Sequence, residues 1–144
     1  MTSDAYDLER FVVAQDARGT YASAVAELRA GRKLTHWMWF VFPQIAGLGL
    51  SETSRRYAIS SLEEARRYLA HPILGERLRE CARILTELDG RTADDVFGPV
   101  DAVKLRSSMT LFACAAPEDL LFAEVIDRYF DGVADDATVA RLRG

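Results

Sequence analysis

The sequence predicts an all-α fold, a compact irregular bundle of about six to eight short helices, from three observations. Apolar residues recur at helical spacing, as in Leu8, Phe11 and Val12, or Leu121, Val125 and Tyr129. Helix-start patterns recur too: Ser61-Leu62-Glu63-Glu64, Thr92-Ala93-Asp94-Asp95 and Pro117-Glu118-Asp119. No convincing pair of strands accompanies them, and a strand without a partner is not stable in water.

Asp7 to Ala30 reads as helix in two pieces. Leu8, Phe11 and Val12 stripe the first, Gly19 breaks the run, and Thr20 caps a second with Tyr21, Val25 and Leu28 on one face. Gly31 is a stop signal. Lys33 to Gln44 comes next, and pattern alone leaves it open. Its aromatic and β-branched content suits a buried strand, whereas Thr35 as an N-cap opens a short helix ending before Pro43. The helical surroundings favour helix. Ile45 to Leu50, with Gly47 and Gly49, is a loop, and Ser51 to Tyr57 has the length of a single helical turn.

Ser61 and Glu64 read as a capping box, with Glu64 reaching back to the start of its helix. That helix carries Leu62, Ala65, Tyr68 and Leu69 and stops at His71, a junction residue set before Pro72. The following helix, to about Leu88, buries Ile73, Leu74, Leu78, Cys81, Ile84, Leu85 and Leu88 and ends at Asp89-Gly90. Thr92 starts a short turn that Gly98-Pro99 closes. Asp101 to Ala115 is striped by Leu105, Met109 and Phe112, and the helix after Pro117 runs to Asp131-Gly132. Asp136 caps a last piece with Val139 and Leu142.

Residues 1–144 are read as one domain, since the chain has no room for a second core of ordinary size. Its 18 basic and 22 acidic residues give a net charge of −4, a poor footprint for nucleic acid. A small anion held by a few local cations remains open. Cys81 and Cys114 read as two buried thiols in a reducing compartment. The start of the chain shows no signal-peptide pattern and no apolar run approaches a membrane span, so the cytoplasm is the expected location. No metal-ligand spacing, P-loop or other cofactor motif is present, and no cofactor is expected; the amides of Gly47-Leu48-Gly49-Leu50-Ser51 could cradle an anion, a weak signal by itself.

The candidate site is the stretch from Lys33 to Gln44 together with the helix from Asp101. Trp37 to Phe42 is an unbroken apolar run, which makes it core, with Lys33, His36 and Gln44 at its polar borders. His36 is the candidate acid or base, and Trp37 or Trp39 the ring on which a planar ligand stacks. On a helix Asp101, Lys104 and Ser108 share one stripe, with Ser107 beside it, able to bind an anion or activate a hydroxyl. Each feature also has a structural reading. His36 can tie the aromatic core to a carbonyl, and Asp101 and Lys104 can form an ordinary intrahelical ion pair.

Taken in order, Gly31-Arg32-Lys33, His36-Trp37-Met38-Trp39-Phe40-Val41-Phe42-Pro43-Gln44 and Gly47-Leu48-Gly49 resemble the signature of domain-of-unknown-function family 1810. The resemblance continues through His71-Pro72, Phe97-Gly98, Asp101, Lys104-Leu105 and Ser107-Ser108-Met109-Thr110-Leu111-Phe112. It implies a small all-α bacterial protein and so resolves the central stretch in favour of helix. It implies no activity. Some members carry the label calpastatin, but this chain has nothing of that largely disordered inhibitor. The pattern retains Lys33, His36, Gln44, Asp101, Lys104, Ser107 and Ser108, which packing alone does not require.

The reading expected from these residues is a pocket between the tryptophan segment and the helix from Asp101, holding a small anionic, nucleotide-like ligand. Catalytic candidates are His36, Lys104 and Asp101; ligand-binding candidates are Lys33, Trp37, Trp39, Gln44, Ser107 and Ser108. The residues do not choose between binding and catalysis. The alternative is a non-catalytic interaction module, or a homodimer, using the aromatic segment.

Overall fold

The longest helix organises the rest. In the computed structural model, which describes residues 4–143, α7 (Ala93–Ala115) packs against α5 (Leu62–Ala70), α8 (Leu121–Phe130) and α9 (Asp136–Arg143). The other helices are α1 (Glu9–Asp16), α2 (Thr20–Arg29), α3 (Met38–Val41), α4 (Glu52–Arg56) and α6 (Leu74–Glu87), with a 3-10 turn at Ala17–Gly19. No strand forms among the described residues; one parallel bridge joins Ile45 to Ile59. The compact all-α bundle agrees with the sequence reading.

Helix boundaries follow local chemistry. Arg18 and Gly19 take positive φ angles of 53° and 68° and separate α1 from α2. Thr92 and Asp95 form a reciprocal capping box. Gly98, at φ 78° and ψ 161°, interrupts α7, and Pro99 restarts it with a φ already suited to a helix. The His71 ring caps α6, its Nδ1 accepting from the amides of Ile73 at 3.1 Å and Leu74 at 3.2 Å.

Thr20 and Asp136 are the first residues of α2 and α9 and not their caps, and Ile73 is exposed. Three further local expectations also fail. Thr35 does not cap a helix: its hydroxyl donates to Glu27 at 2.7 Å, and α3 starts only at Met38. Ser61 does accept from the Glu64 amide, but the Glu64 carboxylate turns to the Ser60 amide and hydroxyl and to Arg10 instead of completing a box. Cys81 is buried, with its thiol pushed up to about 12 by burial, whereas Cys114 is exposed.

The core runs through α1, α2, α3, α5, α6, α7 and α8. At its α3 end Trp37, Phe42 and Phe97 form a triangle, with ring centroids 6.0–6.4 Å apart. Near its middle Phe112 packs between Tyr68 and Phe122 with the rings tilted by 43° and 41°. Fully burying each such side chain contributes on the order of 1.5–3 kcal/mol. The aromatic triangle fixes the tryptophan segment against α7, and that contact creates the site.

Candidate functional site

Glu27, on the core edge of α2 beside buried Leu28, shapes the entry to the tryptophan segment. Its carboxylate accepts from the Leu34 amide (2.6 Å), the Thr35 amide (2.9 Å), the Thr35 hydroxyl (2.7 Å) and Trp37 Nε1 (2.9 Å). Burial pulls the carboxyl upward, but these donors, the Thr35 hydroxyl foremost, outweigh it and bring the pKa down to about 2. The Lys33 amide donates to the Val96 carbonyl at 2.7 Å and ties the same turn to α7. Sequence reasoning passed over Glu27. The available signal was an acid flanked by the core positions Ala24 and Leu28, just ahead of the turn at Gly31.

The turn delivers Lys33 to Asp101. Lys33 Nζ lies 2.9 Å from Asp101 Oδ2, and Lys104 Nζ lies 3.0 Å from Asp101 Oδ1. All three side chains are largely covered, Lys33 most of all at 8% exposure. Burial raises the Asp101 pKa, but the hydrogen bonds and charges of the two lysines prevail and hold it below the usual carboxylate value. Two ammonium groups and one carboxylate leave one net positive charge. Each ammonium also covers an indole: Lys33 lies 5.2 Å from the Trp37 centroid and Lys104 4.1 Å from that of Trp39.

Beside Lys104 and Trp39 opens a cleft of ≈ 620 Å³. Its walls are Trp39 and Gln44, the loop from Leu48 to Ser51 with Ser54 of α4, the α7 face of Val100, Val103, Lys104 and Ser107, and Asp135 and Ala137 at the start of α9. Trp39 and Gln44 also border a smaller cavity of ≈ 100 Å³ toward Tyr57 and Ala58. The α9 wall is anchored from several sides. Asp135 accepts from the Thr138 amide and hydroxyl and from Ser107, its own amide donates to Thr110, and Arg141 donates to the Gly47 carbonyl at 3.1 Å.

The structure therefore brings Trp39, Gln44, Lys104 and Ser107 to one cleft, with Asp101 and Lys33 behind Lys104. It does not bring the others. Trp37 is 1% exposed, its Nε1 is spent on Glu27, and no ligand can stack on it. His36 is exposed on the turn before α3 and does not line the cleft with Lys104, so a shared acid–base site is not assembled. Ser108 is fully buried and also lies outside the lining. Its Oγ and Trp39 Nε1 are buried polar atoms without a partner among the described residues. Ser54, Asp135 and Ala137 were not foreseen, because they come from elements distant in sequence from both stretches. No group of three or more His, Cys, Asp or Glu side chains among the described residues is placed to hold a metal.

An all-helical bundle with a lysine-capped tryptophan cleft is the class that fold and site define. The chain matches the family described as "Protein of unknown function (DUF1810)" over residues 5–142, and it belongs to that family. It is similar, at 52% identity and a TM-score of 0.94, to the crystal structure of the conserved hypothetical protein Rv1873 from Mycobacterium tuberculosis. That likeness covers 98% of this chain and 99% of the other. No curated protein matches the chain. Neither likeness carries the calpastatin label.

Proposed function

We propose that the cleft between Trp39 and α7 binds a small anion with a planar or apolar part, the class in which nucleotide-like molecules fall. One observation carries this reading: Asp101 holds the Lys104 ammonium over Trp39 at the wall of a cleft lined elsewhere by Leu48, Leu50, Val100 and Val103. A prepositioned charge needs little reorganisation to meet an anion, and apolar walls strengthen the attraction by excluding water. Binding is better supported than chemistry, because the only candidate acid–base imidazole, His36, stands outside the cleft. The reading has the 144 residues acting as one cytoplasmic domain. It includes neither nucleic acid, given the net charge of −4, nor a membrane; no helix among the described residues is long and apolar enough to cross one.

A thermal-shift screen of nucleotides, sugar phosphates and aromatic acids on wild type and Lys104→Met tests the reading. A ligand at a hundred times its dissociation constant stabilises the fold by about 2.7 kcal/mol, a shift of several degrees. The expected result is at least one such shift in wild type, lost in Lys104→Met. A blank screen on well-folded wild type would overturn the proposal.

One observation favours a second reading, an interaction surface for another copy. Leu50, Val100 and Val103, on the rim of the cleft, are 83%, 70% and 60% exposed. The rim, not the aromatic segment, would then be the contact, since Trp37 and Phe42 are buried. Light scattering would show a dimer that Val103→Asp dissociates; a monomer across the accessible concentration range removes this reading.

A further inference from the structure

Resting on the proposed binding role of the cleft, we infer that its ligand is an apolar monocarboxylate and not a phosphate. The first argument is charge. Lys33, Asp101 and Lys104 sum to one positive charge, and Asp135 faces the same cleft with a negative one. With Asp135 counted the cleft is neutral, so a monoanion adds one uncompensated negative charge and a dianionic phosphate adds two, in a half-covered site where the larger surplus is the more costly.

The second argument is donor geometry. Phosphates are gripped by arginine forks, by free amides at helix starts or by backbone nests. No arginine lines the cleft. Both helix starts that border it are already capped from within the chain. Ser51 Oγ accepts from the Ser54 amide at 3.1 Å at the start of α4, and Asp135 accepts from the Thr138 amide at 3.0 Å at the start of α9. Asp135 places a carboxylate where a phosphate would have to sit. What is left is the Gln44 side-chain amide and Lys104, a point charge with three donors, of which Asp101 takes one.

The third argument is the body of the ligand. Leu50, Val100 and Val103 hold exposed apolar surface around the cleft mouth, next to the Trp39 ring. An apolar body lying there withdraws that surface from water while its carboxylate meets Lys104. The polar hydroxyls and ribose of a nucleotide would gain nothing from those three side chains.

Isothermal calorimetry on the full chain separates the possibilities, with ligands up to about 1 mM. The probes are 2-naphthoate and octanoate as aromatic and aliphatic carboxylates, 2-naphthylmethanol as neutral analogue, and 2-naphthyl phosphate and AMP as phosphates. Saturable binding of a carboxylate is expected, aromatic or aliphatic according to which of the two binds tighter. The alcohol should bind at least about tenfold more weakly and the phosphates no more tightly than the carboxylate. In Lys104→Met, naphthoate should fall to the level of the alcohol. Tighter binding of 2-naphthyl phosphate or AMP would overturn the monocarboxylate while leaving the site in place. Equal binding of the alcohol would show an apolar cleft without anion selectivity and would also overturn it. Binding of none of the five would remove the cleft as a ligand site altogether.

Discussion

Glu27→Ala is expected to lower stability by about 3 kcal/mol, mostly by stranding the one covered donor that Glu27 now satisfies, Trp37 Nε1. Three of the four bonds, those to Leu34 and Thr35, are exposed, and water replaces them at little loss. The fourth is different. Trp37 is buried in the aromatic triangle, and its Nε1 would lose its partner inside the core. Such an orphan costs about 1–3 kcal/mol, and loosening of the Lys33 turn adds to it. For a chain of this length the midpoint should fall by roughly 6–12 °C. The same carboxylate makes stability depend on pH. Its folded pKa of about 2 lies below the ordinary 4.5, so its contribution is complete above pH 4.5 and disappears as pH falls toward 2. Solvent screening of this partly exposed group limits that contribution to about 2 kcal/mol. Urea titrations of wild type and Glu27→Gln should differ by a constant amount above about pH 5.5 and converge near pH 2. A gap below about 1 kcal/mol at pH 7 would show that Glu27 is not the tie that holds the turn.

Glu27 also marks the limit of what the sequence discloses. Breaks at Gly19, Gly98-Pro99 and Asp131-Gly132 are legible because positive φ and a missing amide are local properties. The Thr92 capping box is legible for the same reason. Thr35 and Glu64 mislead because each has a stronger partner far away in sequence or in an unforeseen place: Glu27 captures Thr35, and Arg10 with Ser60 captures Glu64. The site divides in the same way. That the tryptophan segment and the helix from Asp101 both belong to the core follows from their apolar stripes. Which tryptophan faces the cleft does not, because α3 is only one turn long. Packing of Trp37 against Phe97 and its bond to Glu27 send that ring inward and leave Trp39 at the cleft. The far wall of Asp135 and Ala137 depends on α9 being fastened to α7 through Ser107 and Thr110, a connection no local pattern announces.

Gly75→Ala is expected to lower stability by about 3 kcal/mol, at the upper end of overpacking losses, although alanine is the better helix former. In an exposed helix interior the exchange would gain about 1 kcal/mol. Here a β-carbon would sit 2.1 Å from the Leu69 carbonyl oxygen and 2.9 Å from its carbon. The obstacle is main chain at the end of α5, so no rotamer change can relieve it. Relief requires α5 and α6 to part, and Arg79 of α6 holds them together by donating to the same Leu69 carbonyl at 3.3 Å. Gly90→Ala is the informative control. Nothing lies within 4 Å of its β-carbon, but its φ is +69°, so only backbone strain opposes the change, about 1–2 kcal/mol. The two sites should then respond oppositely to a second replacement. Asparagine, which tolerates the left-handed region, should recover much of the loss at Gly90, whereas at Gly75 any side chain larger than alanine should deepen it. Chemical denaturation of the four variants reads both orders. A Gly75→Ala protein as stable as wild type would mean that α5 and α6 do not approach this closely.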